Sequence, residues 1–285
     1  MEGTMNIKYL NEVHITNFSD YLKNEEKSIN TINKYLRDVQ NFLFYLKGAS
    51  VTKEIVIDYK KELIAKNYAV RSINSMLASL NSLFSFLGWS ELKVKSIKLQ
   101  RQIYYSDDKI LSKNEYLRLV NTAQKSGNER LNLLLQTICG TGIRVSELKY
   151  ITIESVKRGE AIVSLKGKTR HIFIVPELQK KLLRYSTKHN IKSGMIFITR
   201  NGNPLSRTNI WREMKHLCLE ANVDPNKVFP HNLRHLFARI FYSIEKDIAK
   251  LADLLGHSSI NTTRIYIIST SAEHRKRMKQ MHLII

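Results

Sequence analysis

Residues 28–47 read SINTINKYLRDVQNFLFYLK, and the spacing of their apolar positions decides the fold class. Ile29, Ile32, Leu36, Val39, Phe42, Leu43 and Leu46 recur every three or four residues, the period of one face of an α-helix. Ser28 stands where a hydroxyl can cap the first turn. Outward from this stretch the same period returns. A helix over about 12–25 turns Ile15, Phe18, Tyr21 and Leu22 to one side, and another begins at Thr52 and ends near Asn67. A fourth over about 70–87 turns Ile73, Met76, Leu77, Leu80, Leu83, Phe84 and Leu87 inward and stops at Gly88. Four helices joined by short loops predict a compact helical domain over residues 1–92.

Residues 93–110 break the pattern. Lys93, Lys95, Lys98 and Arg101 alternate with apolar residues before Asp107 and Asp108, which reads as an extended basic linker. A second domain, residues 111–285, opens at Ser112, which with Glu115 forms a capping box. A helix from about Asn128 to Cys139 ends at Gly140-Thr-Gly142. Ala161–Leu165 and His171–Val175 read as a β-hairpin joined through Lys166-Gly-Lys-Thr169. Helices follow at about 177–189, 207–222, 231–244 and 247–255, and a basic helical tail at about 271–281 precedes apolar Leu283, Ile284 and Ile285. The fold expected is mainly α, with one small hairpin.

Lys and Arg number 46 against 25 acidic residues, a formal net charge of +21. The excess is concentrated: residues 111–285 carry 30 basic and 13 acidic residues, residues 1–110 only 16 and 12. Such an imbalance points to a polyanionic partner, with nucleic acid first. An idle basic surface is the alternative that charge alone leaves standing. No apolar run is long enough to span a membrane and no signal peptide is evident, so a cytoplasmic protein without a membrane partner is expected. Cys139 and Cys218 sit among apolar residues and read as buried free thiols. Their spacing offers no metal site, and no phosphate-binding glycine loop is present.

Three segments of the second domain carry chemistry-bearing residues: Gly140-Thr-Gly-Ile-Arg-Val-Ser-Glu-Leu148, His231-Asn-Leu-Arg-His235, and Leu255-Gly-His-Ser-Ser-Ile-Asn-Thr-Thr-Arg-Ile-Tyr266. Singly, each has an ordinary reading. Arg144 can pair with Glu147, His231 can cap a helix after Pro230, His257 can be a satisfied polar group at a helix end, and Tyr266 can be a half-buried tyrosine. His231 and Arg234, three apart, share a helical face.

Together and in this order, the segments resemble the signature boxes of the tyrosine recombinase or integrase family. Its pattern is Arg, Lys, His-x-x-Arg, His or Trp, then Tyr, matched here by Arg144, His231, Arg234, His257 and Tyr266. The chain is similar to Xer-type and transposon-borne members without an arm-binding domain, and the first domain resembles the family's core-DNA-binding domain. The family lysine lies on a hairpin before Val-Pro. Register from Val175-Pro176 favours Lys168, a shorter hairpin would give the role to Lys166, and a third reading has both merely touching phosphates. The family often has an arginine soon after this lysine, which Arg170 and His171 match only loosely.

The resemblance implies a site-specific recombinase that cuts and rejoins double-stranded DNA through a 3′-phosphotyrosyl intermediate. Its task would be integration, excision or dimer resolution. The implied catalytic set is Arg144, Lys168, His231, Arg234, His257 and Tyr266, with no cofactor and no metal. Two guanidiniums suit the charge that builds on a phosphate in transfer. A phenol with a pKa near ~10 needs help to ionise, which assigns His231 as base. His257 is expected to hydrogen-bond the phosphate, and Lys168 to protonate the leaving 5′-oxygen. The basic linker suggests that the two domains clamp the duplex; the resemblance also implies self-association on DNA into a tetramer and leaves an accessory protein open. The alternatives are a type IB topoisomerase-like relaxing enzyme and a catalytically silent DNA-binding regulator.

Overall fold

The computed structural model describes residues 7–98, 110–165, 168–266, 275 and 278–281. The chain divides into two compact units, Met1–Arg101 and Gln102–Ile285.

The first unit holds four helices, α1 (Glu12–Asn24), α2 (Ile29–Leu46), α3 (Lys53–Ala65) and α4 (Val70–Phe86), and a 3-10 turn at Ser90–Leu92. Ser28 and Thr52 cap α2 and α3 through their hydroxyls. Apolar stripes from the four helices meet around Phe18, Phe42, Phe84, Leu22, Leu80 and Leu83, all fully buried. Ile29 departs from its expected inward place. It is 65% exposed, because it occupies the first turn of α2, which lies outside the packed faces. Asp38 is buried instead, where it accepts from Lys34 Nζ at 2.8 Å and Ser79 Oγ at 2.9 Å.

Residues 93–98, expected to open a linker, are bonded onto α4. Asn81 donates Nδ2 to the Val94 carbonyl (2.9 Å) and accepts the Val94 amide on Oδ1 (3.0 Å). Asn74 does the same for Ile97, at 2.9 and 2.8 Å. Seven helical residues rise about 10.5 Å and three extended residues span about 10 Å, so the two asparagines meet residues 94 and 97 in step. Residues 99–109, the rest of the expected linker, lie outside the described residues.

The second unit begins with the Ser112–Glu115 capping box and α5 (Lys113–Lys125), followed by α6 (Glu129–Thr141), which runs through Gly140. A 3-10 turn at Val145–Tyr150 and α7 (Ile153–Arg158) lead to strands β1 (Glu160–Leu165) and β2 (Lys168–Phe173). Then come α8 (Pro176–Lys188), α9 (Arg207–Glu220), α10 (Pro230–Glu245), α11 (Ile248–Leu255) and α12 (Ile260–Arg264). Leu134, Leu135, Ile138, Leu182, Met214 and Leu233 form the centre of its core. Both cysteines are buried free thiols.

The hairpin register differs from the expected one. β2 starts at Lys168, which pairs with Leu165, and ends at Phe173. Lys166 and Gly167 lie outside the described residues. Val175 is the extended N-cap of α8 rather than a strand residue, because the partner strand begins only at Glu160, opposite Phe173, and Pro176 takes the first helical position. Of the expected tail helix, only Arg275 and Met278–Met281 are described, with Arg275 and Met278–Gln280 helical. No helix among the described residues is long and apolar enough to cross a membrane.

Candidate active site

The site forms where the ends of α6 and α11 meet one face of α10. Helix α6 stops at Gly142, whose φ of +64° is readily available only to glycine. A Cβ there would also lie 2.5 Å from the Phe237 ring on α10. The chain turns and sets Arg144 before the 3-10 turn. The Arg144 amide donates to Glu147 Oε2 at 2.9 Å, and its guanidinium donates to Oε1 at 2.8 Å. The pairing with Glu147 and a place in a charged cluster therefore hold together.

Glu147 is 1% exposed and also receives Arg170 from β2. Burial pushes its carboxyl up, but the Arg144 amide and guanidinium and the Arg170 charge outweigh this and hold it below the usual carboxylate range.

Helix α11 ends at Gly256, φ +63°. A helix C-terminus leaves carbonyls without intrahelical partners and carries partial negative charge. Here three successive carbonyls each accept from a different arginine. Arg170 donates to Leu254 O at 2.8 Å, Arg234 to Leu255 O at 2.6 Å, and Arg144 to Gly256 O at 3.2 Å. Arg234, 2% exposed, reaches from α10 and also donates to Gly142 O at 2.6 Å, tying the α6 end to the α11 end. Burial lowers its pKa to about 10 and Arg144 adds to this, while the Tyr266 phenol hydrogen-bonds to it and acts in the opposite sense.

His257 follows Gly256. Arg234 donates to its Nε2 at 2.9 Å, and its Nδ1 lies 2.9 Å from Thr263 Oγ1. A guanidinium has no acceptor, so Nε2 accepts, and the neutral ring carries its proton on Nδ1 and donates to Thr263. Burial and the charges of Arg234, Arg144 and Arg170 push its pKa down to about 4, which keeps it neutral near pH 7.

Tyr266, 5% exposed, follows α12 and is surrounded by three imidazoles. Ring centroids lie 5.3 Å away for His231, 5.3 Å for His235 and 5.4 Å for His257, the last stacked at 17°. His231, on the first turn of α10, is the exposed member of the three. Partial burial of its ring, then Arg234, Arg144 and Arg207, lower its pKa. A cavity of about 1110 Å³ opens beside this cluster, lined among others by Arg144, Arg170, Phe173, Phe241, Lys250 and His257.

Five of the six residues singled out from the sequence, Arg144, His231, Arg234, His257 and Tyr266, thus gather in one place. Lys168 is the first residue of β2, two before Arg170. Four residues of the site lie outside that set of six: Glu147 as a shared counter-ion, Arg170, Thr263 and His235. Arg170 left a readable signal, because it alternates with buried Ile172 on the inward side of β2. No group of three His, Cys, Asp or Glu side chains able to hold a metal occurs among the described residues.

This fold and this site define a class of DNA strand-transfer proteins, and comparison with known proteins gives the same answer. Residues 109–273 match the phage integrase family, and residues 15–91 match the phage integrase N-terminal SAM-like domain. Tyrosine recombinase XerA of Pyrococcus furiosus is 31% identical over 290 residues, covering 98% of each chain. Tyrosine recombinase XerD of Staphylococcus aureus is 27% identical over 276 residues, covering 90% of this chain and 93% of that one. Solved structures share the fold at lower identity. XerH recombinase bound to its difH substrate gives a TM-score of 0.68 at 18% identity, over 96% of this chain and 90% of that one. A lambda integrase dimer on a COC′ core site gives 0.72 at 17%, over 91% and 95%.

The chain belongs to the phage integrase family of tyrosine recombinases. Its activity is therefore site-specific DNA recombination, in which DNA is cut and rejoined through a covalent tyrosine intermediate. The relatives favour this over a relaxing topoisomerase or a silent regulator.

Proposed function

We propose that Tyr266 is the nucleophile of this reaction and that the arginine and histidine array around it activates one DNA phosphate. The Tyr266 oxygen bonds to phosphorus, the bond from phosphorus to the 5′-oxygen breaks, and a 3′-phosphotyrosine forms. A 5′-hydroxyl of another strand then reverses the step, so bond energy is conserved without a nucleotide cofactor. His231 accepts the phenol proton, a role suited to an imidazole kept neutral at pH 7 by partial burial and neighbouring positive charge. Arg144 and Arg234 stabilise the charge that develops on the non-bridging oxygens; donors of this kind are each worth roughly 10²–10³ in rate.

His257 acts first on Arg234, which its Nε2 fixes. It donates to a phosphate oxygen only once the negative charge of the incoming phosphate favours a second ring proton, taken up from solvent, that makes both ring nitrogens donors. Lys168 protonates the leaving 5′-oxygen, and Lys166 is the alternative at the same turn. The observation that carries this reading is the convergence of His231, His257 and Arg234 on the Tyr266 ring.

On this reading the first unit, with residues 93–98 bonded onto α4, binds core DNA, the remainder of the segment 93–110 connects the domains, and residues 111–285 carry the chemistry. The chain acts on double-stranded DNA in the cytoplasm and assembles on it as a tetramer. Related structures of lambda integrase as a dimer on a core site and as a tetramer on a Holliday junction support that assembly. The test is to incubate the chain with a pool of nicked duplexes and look for a protein–DNA adduct that survives detergent. Wild type should form it. Tyr266→Phe should bind DNA equally well, because phosphate contacts elsewhere are untouched, and form none. An adduct that persists in this variant rules out Tyr266 as the nucleophile.

A further inference from the structure

We infer that Arg170 is a positioning residue for the leaving-group step, a tether that holds the lysine-bearing hairpin against the array around Tyr266. It rests on the reading that a hairpin lysine is the general acid. Arg170 lies on β2 two residues after Lys168, and its side chain is 9% exposed. It spans from the hairpin to two other elements. One terminal nitrogen donates to the Leu254 carbonyl at the end of α11, and the other pairs with Glu147.

Packing alone does not call for a guanidinium here. Ile172, the next residue on the same side of β2, fills its place as an aliphatic side chain. Taking a guanidinium out of water costs several kcal/mol before partners repay it. The repayment is incomplete, since the buried Nε has no hydrogen-bond partner among the described residues. The surroundings are shaped for this side chain. Gly256 has no Cβ, and one built there would collide with Cδ of Arg170. Glu147 is shared with Arg144, so the hairpin and Arg144 hang on one buried carboxylate. Among the described residues, the distal half of the hairpin is hydrogen-bonded to the rest of the unit through these two bonds and a 3.4 Å contact from the Tyr150 hydroxyl to the Ser164 carbonyl. Loss of Arg170 therefore frees the end of the hairpin while Arg144, Arg234 and His257 keep their other partners.

A leaving group that needs no proton separates this role from general destabilisation. The full-length chain is given matched nicked duplexes with either the ordinary 5′-oxygen or a 5′-sulfur at the scissile bond. Sulfur departs as thiolate, so a defect in proton delivery disappears on that substrate. Arg170→Ala should cleave the oxygen substrate about 10²-fold more slowly, in the range of a lost general acid, yet cleave the sulfur substrate within about threefold of wild type. Arg170→Lys, which retains the charge and one of the two bonds, should fall between. Equal losses on both substrates would overturn the inference.

Lys168→Ala and Lys166→Ala run beside them. If one lysine variant is rescued by sulfur and Arg170→Ala is not, the tether fails and the general-acid reading stands. If neither lysine variant is rescued, the general-acid reading fails. The tether is then judged by hydrogen exchange in Arg170→Lys, where amides of residues 160–165 and 168–173 should exchange at least tenfold faster than in wild type. Unchanged exchange rejects it. Should Arg170→Ala not fold, Arg170→Lys and Gly256→Ala, which displaces the arginine without removing it, carry the same comparison.

Discussion

Replacing Glu147 with Gln removes one negative charge from the centre of the array and changes little else in shape. The carboxylate is 1% exposed and accepts three donors: the Arg144 amide, the Arg144 guanidinium and the Arg170 guanidinium. A glutamine oxygen at the Oε2 position can keep two of these. Its amide nitrogen then faces the Arg144 guanidinium, donor against donor. Arg144 is 38% exposed on its side chain and can turn to solvent, so that half of the loss is softened by water. Arg170, only 9% exposed, cannot, and is left as a buried cation without its counter-ion.

Breaking a buried pair in this way typically costs about 3–5 kcal/mol, and the exposed half places the expected loss near about 3 kcal/mol. For a unit of this size that lowers the melting temperature by roughly 6–12 °C. The loss should depend on pH. A carboxyl held below its unfolded value stabilises the fold above that value, and the contribution disappears as pH falls through the lowered folded pKa. The gap between wild type and Glu147→Gln, measured by urea denaturation, should be constant from pH 7 to pH 5 and close below about pH 4.5. A variant within about 0.5 kcal/mol of wild type at pH 7, or a gap that does not narrow in acid, would refute the shared-counter-ion account.

Gly142→Ala should destabilise by about 1–3 kcal/mol, because it adds a Cβ at positive φ and 2.5 Å from the Phe237 ring; thermal melts of the two proteins read this directly. The single-turnover cleavage rate should stay flat near neutral pH and fall only below the ordinary histidine value of 6.5, since partial burial and positive neighbours lower the pKa of His231. His231→Gln should be slower and lack that acidic limb. Deleting residues 270–285 should leave binding of one chain to DNA within about threefold of wild type, as expected for terminal residues outside the main phosphate contacts, but abolish assembly on DNA carrying two sites. Sedimentation follows both, and recombination at the wild-type rate would speak for a tail that acts within its own chain.

Much of this molecule was legible because its signals are local. Ser28, Thr52 and Ser112 announce helix starts through hydroxyls that cap the next turn, and the 3.6-residue period of α2 and α4 gives their inward faces. Arg144, Arg234, His257 and Tyr266 stood out by their order along the chain. What the sequence hid depends on distant partners. Asn74 and Asn81 look like ordinary polar positions on a helix, and only the folded chain brings Val94 and Ile97 to them. Arg170 looked like no more than a loose match to the arginine that often follows the family lysine, because its value comes from Glu147 and the Leu254 carbonyl, 23 and 84 residues away. The hairpin register slipped because β2 begins at polar Lys168 opposite Leu165 and β1 begins at Glu160 opposite Phe173, so the apolar run Ile172–Val175 extends past its partner strand. The neutral state of His257 needs Arg234 and Thr263 to be seen at once.

The central claim is that Tyr266 carries the DNA between the two halves of the reaction. The most direct measurement is mass spectrometry of the detergent-stable adduct after digestion with protease and nuclease. The account predicts one modified peptide, with Tyr266 joined through its phenolic oxygen to a nucleotide 3′-phosphate, and a free 5′-hydroxyl on the released strand. An adduct on any other residue, or one joined to the 5′-phosphate of the cut strand, would contradict it.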